Sequence, residues 1–119
     1  MKKENYSIKE LSVAVHQIAK DHGWWDGKPR EFAELSMLIV CEVSEAVEEY
    51  RNGHEPQETY YSKDKQGNDK MEGIPSELAD IVIRVLDMCG HYGIDLEKAI
   101  LEKIEYNKSR SYKHGNKKI

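Results

Sequence analysis

Met37-Leu38-Ile39-Val40-Cys41-Glu42-Val43-Ser44-Glu45 decides how the chain is read. From 37 to 43 every position except 42 is apolar, which predicts a helix buried on more than one side. Glu42 interrupts that run and Glu45 follows three residues later, a step that puts both carboxylates on one helical face. Outward from this core the helix extends over about 31–52. Phe32, Leu35, Ile39, Val43, Ala46 and Tyr50 form its main stripe, and Gly53 is its stop.

A second acidic couple, Glu77-x-x-Asp80, lies in the next strongly periodic segment. That helix is predicted over about 75–92, opened by Pro75 and ended by Gly93. Glu77, Asp80, Arg84 and Asp87 share an arc of roughly 80°, while Leu78, Ile81, Val82, Ile83, Val85 and Leu86 occupy most of the remainder. Packed together, the two helices would direct Glu42, Glu45, Glu77 and Asp80 at one spot. Like charges gathered away from water either take up protons or collect a hard cation, and oxygen-only ligands favour Mg²⁺, with Mn²⁺ as the alternative, over zinc. A charged helical stripe is ordinarily a solvated face. The narrowness of the second seam, the identical form of both couples and the apolar setting of Glu42 favour a metal site instead.

Two further helices are expected. Ile8, Leu11, Val15 and Ile18 recur at helical steps over about 7–22, with Ser7 as cap, and Asp95 caps a fourth helix over about 95–108 through Leu96, Ala99, Ile100 and Ile104. Between the first two lies a Gly-rich connection holding Trp24 and Trp25. The segment 53–73 is a polar insert with Tyr60 and Tyr61 ahead of KDKQGNDK; so long a connection is either disordered or a functional lid. Residues 108–119 form a basic tail in which Lys108, Arg110, Lys113, Lys117 and Lys118 occur without an acid, an end suited to phosphate.

At 119 residues the expectation is one domain, 1–119, of the all-α class and four-helix-bundle type. A net charge of −4 argues against general affinity for nucleic acid or anionic membrane, and no apolar run approaches a membrane span. Cys41 and Cys89 lack metal or redox spacing and read as reduced packing residues, which fits a cytoplasmic protein. A di-iron carboxylate bundle needs Glu-x-x-His pairs. Three residues before His16, His22, His54, His91 and His114 stand Val13, Ala19, Arg51, Met88 and Ser111, so ligation without histidine points toward phosphate chemistry.

The segments EVSEAVEEYR and ELADIVIRVLD together resemble the paired acidic motifs of the MazG-like all-α nucleoside triphosphate pyrophosphohydrolases. KIEYNKSRSYKHGNKK is similar to the terminal segment of that superfamily, and the likeness covers roughly Ser7 to Lys118. The resemblance implies hydrolysis of a nucleoside triphosphate to monophosphate and pyrophosphate, in the manner of nucleotide-pool sanitation, with Mg²⁺ held by Glu42, Glu45, Glu77 and Asp80. Glu45 is the nominated base, with Glu42 beside it. Glu49 and Asp87 continue the same faces as supporting groups, and Arg84 between Asp80 and Asp87 is placed to pair with carboxylates. Lys103, Asn107 and Arg110, at steps of four and three, with Lys113 and His114 beyond, would clamp the phosphates.

Trp24, Trp25 and His22 occupy the connection similar to the base-contacting region of dCTP pyrophosphatases, where one tryptophan would stack on the base and the other anchor the loop. Tyr60 and Tyr61 either close over the nucleotide or pack. Apolar arcs on the second and third helices exceed what one small bundle covers, which predicts a homodimer or homotetramer; in the resembled family the active site lies near the subunit interface. Two other readings compete: a non-catalytic helical module for nucleotide sensing or protein interaction, and a DNA-associated regulator, for which the tail has few cations and no groove-reading motif.

Overall fold

The computed structural model describes residues 3–110 and 118. Its order is α1 (Ile8–Asp21), α2 (Phe32–Arg51), β1 (Tyr60–Lys63), β2 (Asp69–Glu72), α3 (Ile74–Tyr92) and α4 (Leu96–Lys108). The predicted helices appear within a residue of their expected ends. Ser7 closes a full capping box on α1: its hydroxyl accepts from Glu10 N–H while the Glu10 carboxylate accepts from Ser7 N–H. Asp95 caps α4 by accepting from the backbone N–H of Lys98.

α3 is the central element, packed against α1 on one side and α2 on the other, while α4 leans on α1. The α1–α3 approach is close. Gly90 makes it possible, since a Cβ there would stand 2.6 Å from the Cβ of His16, and Ser12 Oγ donates to Leu86 O at 2.7 Å across the seam. Leu35, Ala46, Ile74, Leu86 and Cys89 are the buried apolar residues of this core.

The fold is mostly helical, in keeping with the all-α expectation, and the insert adds a small two-stranded sheet. Tyr60–Lys63 and Asp69–Glu72 pair antiparallel, with Tyr60 opposite Glu72 and Lys63 opposite Asp69. Asp64 organises the connecting loop, its Oδ1 accepting from the N–H groups of Gln66 and Asn68. Neither strand alternates polar and apolar residues, so periodicity alone hides the hairpin. A two-stranded ribbon is marginal by itself. Here it is tied down: Tyr60 OH donates to the Glu49 carboxylate of α2 at 3.0 Å and its ring stacks on His54. Gly73 then joins β2 to α3 at φ 106°, where any Cβ would lie 2.4 Å from Glu58 O.

No described helix is long and apolar enough to cross a membrane. Much apolar surface remains on the outside of this small core. Val40, Val43, Val47 and Tyr50 on α2 and Leu78 and Val82 on α3 are exposed.

Candidate metal centre and adjoining cavity

α2 and α3 cross where their acidic couples meet. Glu42, Glu45 and Glu77 each place one carboxylate oxygen within 4.8 Å of the others. Glu42 is buried, Glu77 half-buried and Glu45 exposed, so the group forms a wall leading from the helix seam to solvent. Asp80 stands next to it and feels the charge of Glu42, but it contributes no oxygen to the three-membered set. The expected fourth ligand is thus adjacent rather than convergent.

The electrostatics are those of crowded anions. Burial, a proton-sharing contact with Glu45 and repulsion from Glu45, Asp80 and Glu42 push Glu77 up to about 7. Glu77 lies in the first turn of α3, where the helix dipole favours a negative charge, so crowding outweighs the dipole here. Its Oε2 is buried without a hydrogen-bond partner, the single such side-chain atom among the described residues. Burial and the Glu42 charge also raise Asp80, against the opposing pull of Arg84 and Lys70. An orphaned carboxylate oxygen beside two more carboxylates suits a hard divalent cation and lacks the nitrogen or sulfur that zinc prefers.

Among the described residues, few cations surround the centre. Arg84 Nε donates to Glu42 Oε1 at 2.8 Å, fulfilling the expectation that it pairs within the seam. Lys70 was not foreseen: it lies on the hairpin face that also carries Tyr60 and Glu72, its Nζ 3.4 Å from Glu72 Oε1, and its charge reaches Asp80. Only the hairpin brings it there, so no local pattern marks it. Lys103 and Asn107 ride on the exposed α4 and Arg110 lies just beyond its end; Lys103 and Arg110 lie against the Tyr106 ring, and none of the three lines the cavity beside the carboxylates. Lys113 and His114 lie outside the described residues. Glu49 turns to the hairpin, serving Tyr60 and lying 3.5 Å from His54 Nε2, rather than to the acidic group.

A cavity of about 560 Å³ opens from this centre between α1 and α3. Glu42 and Asp80 contribute carboxylates, Val15, Ile18, Ala19 and Ile83 an apolar wall, and Trp24, Arg84 and Asp87 the rest. Such a mixture of apolar wall and few polar groups is what small-molecule sites present. The two tryptophans separate by role. Trp24 lines the cavity with Arg30 over its ring at 3.6 Å, whereas Trp25 lies outside it, stacked on His91 at 4.0 Å, its Nε1 donating to Asp87 Oδ1 at 3.0 Å. His22 ends α1 through its backbone N–H and does not line the cavity. His16, unmarked in the sequence, joins Asp87 across a separation of 71 residues.

Among family models, curated proteins and solved structures, none matches the chain.

Proposed function

We propose that the chain is a Mg²⁺-dependent nucleoside triphosphate pyrophosphohydrolase, cytoplasmic and active as a homodimer or homotetramer. The observation that carries this reading is the convergence of Glu42, Glu45 and Glu77, with Glu77 Oε2 left unpartnered, beside a cavity of about 560 Å³ that Glu42 also lines. The resemblance of the two acidic segments to the MazG-like superfamily supports it.

Glu42, Glu45 and Glu77 would hold the ion, with Asp80 beside them. Bound Mg²⁺ supplies neutralisation of phosphate charge and a more acidic water. Glu45 is the solvent-facing member of the set, placed to accept the proton of a water attacking the α-phosphorus. The bond from that phosphorus to its bridging oxygen breaks, and pyrophosphate departs. Lys70, whose charge reaches Asp80, would set positive charge along that path. Trp24 and the apolar wall hold the base and exclude water.

Assembly follows from surface energetics. Val40, Val47, Leu78 and Val82 are each between 52 and 53% exposed, Met37 60% and Phe32 59%. Covering half-exposed side chains of this size is worth on the order of 1 kcal/mol each, so six supply as much as the whole stability of many domains. A second copy is the natural cover, and it offers a way to bring the α4 cations of one protomer to the carboxylates of another.

The test is incubation with Mg²⁺ and each ribo- and deoxynucleoside triphosphate, followed by separation of products. Monophosphate and pyrophosphate in equal amounts are expected. Diphosphate with orthophosphate, or no turnover with any substrate, would sink the reading, and saturable binding without products would favour the nucleotide-sensing module.

A further inference from the structure

Asp87 shares the cavity with Glu42 and Asp80 but takes no part in the metal centre. It lies seven residues beyond Asp80 on α3, a rise of about 10 Å. That separation is comparable to the span of a nucleotide from its α-phosphate to the far edge of its base. Asp87 is buried at 8% exposure, and one of its oxygens does all the internal work: Oδ1 accepts from His16 Nδ1 at 2.7 Å and from Trp25 Nε1 at 3.0 Å. Both donors are themselves fixed, Trp25 by stacking on His91 and His16 by the close fit at Gly90.

Among the described residues Oδ2 has no hydrogen-bond partner. It is not sealed either, because Glu77 Oε2 is the one described side-chain atom both buried and unpartnered. The carboxylate is therefore held at one oxygen and open at the other. One turn earlier on the same face, Arg84 also lines the cavity; it spends Nε on Glu42, and its terminal N–H groups make no hydrogen bond to a described side chain. A fixed acceptor and a donor side by side, at the end of an apolar cavity, form a reader of ligand edges.

We propose that Asp87 reads the base: Oδ2 accepts from the exocyclic amino group of a cytosine- or adenine-type base while Arg84 donates to the neighbouring ring nitrogen. Carboxylates accept from the cytosine amino group in just this manner when proteins read base edges. A base with a carbonyl at that position sets oxygen against oxygen and leaves a buried acceptor unsatisfied, which a site built for a donor rejects. The inference rests on the pyrophosphohydrolase reading for the placement of the phosphates, but the recognition itself needs no turnover.

The experiment compares dCTP and dATP with dUTP and dTTP in the native protein and in Asp87→Asn, which keeps the acceptor for His16 and Trp25 and turns a donor into the cavity. The native protein is expected to favour the amino-bearing pair by at least about tenfold in kcat/KM. Asp87→Asn reverses or erases that preference, mainly through KM. A uniform loss over all four substrates overturns the proposal and leaves Asp87 a scaffold residue. Should Asp87→Asn fail to fold, Trp25→Phe keeps the ring and removes one donor; it is expected to weaken selectivity, and equal effects on every base again overturn the idea. Calorimetric binding of the four corresponding monophosphates separates this claim from the activity. Base-selective binding without turnover sustains Asp87 while removing the hydrolase, and binding that ignores the base removes Asp87 alone.

Discussion

The two ends of the acidic seam on α3 are built from the same side-chain chemistry and reach opposite outcomes. At the Glu77–Asp80 end, burial and neighbours of like sign push both groups up, and Glu77 Oε2 has no partner. At the Asp87 end, a more deeply buried carboxylate collects two nitrogen donors. Glu42, at the same 8% exposure, lies between these extremes with one guanidinium. Burial alone therefore does not identify a ligand site. The informative quantity is how many of the acceptors are satisfied by the protein itself, since an unsatisfied buried acceptor is an energetic cost that a ligand can relieve.

Glu77→Gln gives the largest expected break in that comparison. Turnover falls by about 10²-fold or more, because the metal loses a ligand charge. In metal-free protein the same change removes repulsion and raises Tm by about 2–5 °C. Glu42→Gln is expected to match it in activity but not in stability, since it strips Arg84 of its charged partner. Activity assays with thermal melts in EDTA check both; a Glu77→Gln protein that melts lower than the native one contradicts the crowding.

Asp87→Ala should behave in the opposite way. It leaves the N–H groups of His16 and Trp25 without their acceptor, at a cost of about 2–4 kcal/mol. Chemical denaturation in EDTA measures it, and a loss under about 0.5 kcal/mol would mean that the network holds nothing together.

What could be read in advance follows the range of each interaction. Helices and caps depend on near neighbours, so Ser7, Asp95, Gly53 and Gly93 marked their ends correctly. The acidic couples were legible because a step of three is a helical fact and Glu42 sits amid apolar residues. The hairpin was not, because YYSK and DKME carry no period and are held by Glu49 and the buried Gly73. For the same reason Lys70 went unseen. The helical step puts Asp87 on the face of Glu77 and Asp80, but the donors that hold it, His16 and Trp25, come from elements whose proximity no local pattern encodes. The choice of Trp24 over Trp25 as cavity wall likewise depends on where Arg30 and His91 end up.

Gly90→Ala probes the satisfied end without touching a polar atom. Its methyl would meet His16 at 2.6–2.8 Å, displacing the ring from Asp87. Overpacking of this kind costs about 1–3 kcal/mol, offset in part by better helix propensity. The discriminating readout is base selectivity: it should fall with stability if His16 fixes Asp87, while metal binding stays unchanged.

The smallest effect is the pH profile of the metal-free protein, and its sign separates the two ends. Glu77 rises from 4.5 to about 7 on folding, so the folded chain binds a proton that the unfolded chain has released. Stability therefore declines as pH climbs from about 4.5 to 7 and is level above. His54, raised above 6.5 chiefly by its hydrogen bond to Glu58 and further by the Glu49 charge, beside the Tyr60 ring, acts in the same direction: its contribution is complete below 6.5 and is lost as pH passes its folded value. Glu10 and Glu58, held low by Lys3 and His54 respectively, work the other way, stabilising above 4.5 and fading as pH falls. A shallow maximum near the carboxylate range is the expected sum. Glu77→Gln should flatten the limb between 4.5 and 7 and leave the rest, whereas His54→Gln should alter the part above 6.5 together with the acid limb that Glu58 supplies. Saturating Mg²⁺ should flatten the first limb as well, because the ion takes the place of the proton, and metal affinity should increase through that same interval with release of protons. A profile that Glu77→Gln leaves unaltered would place the shared proton elsewhere and remove the electrostatic argument for the acidic centre.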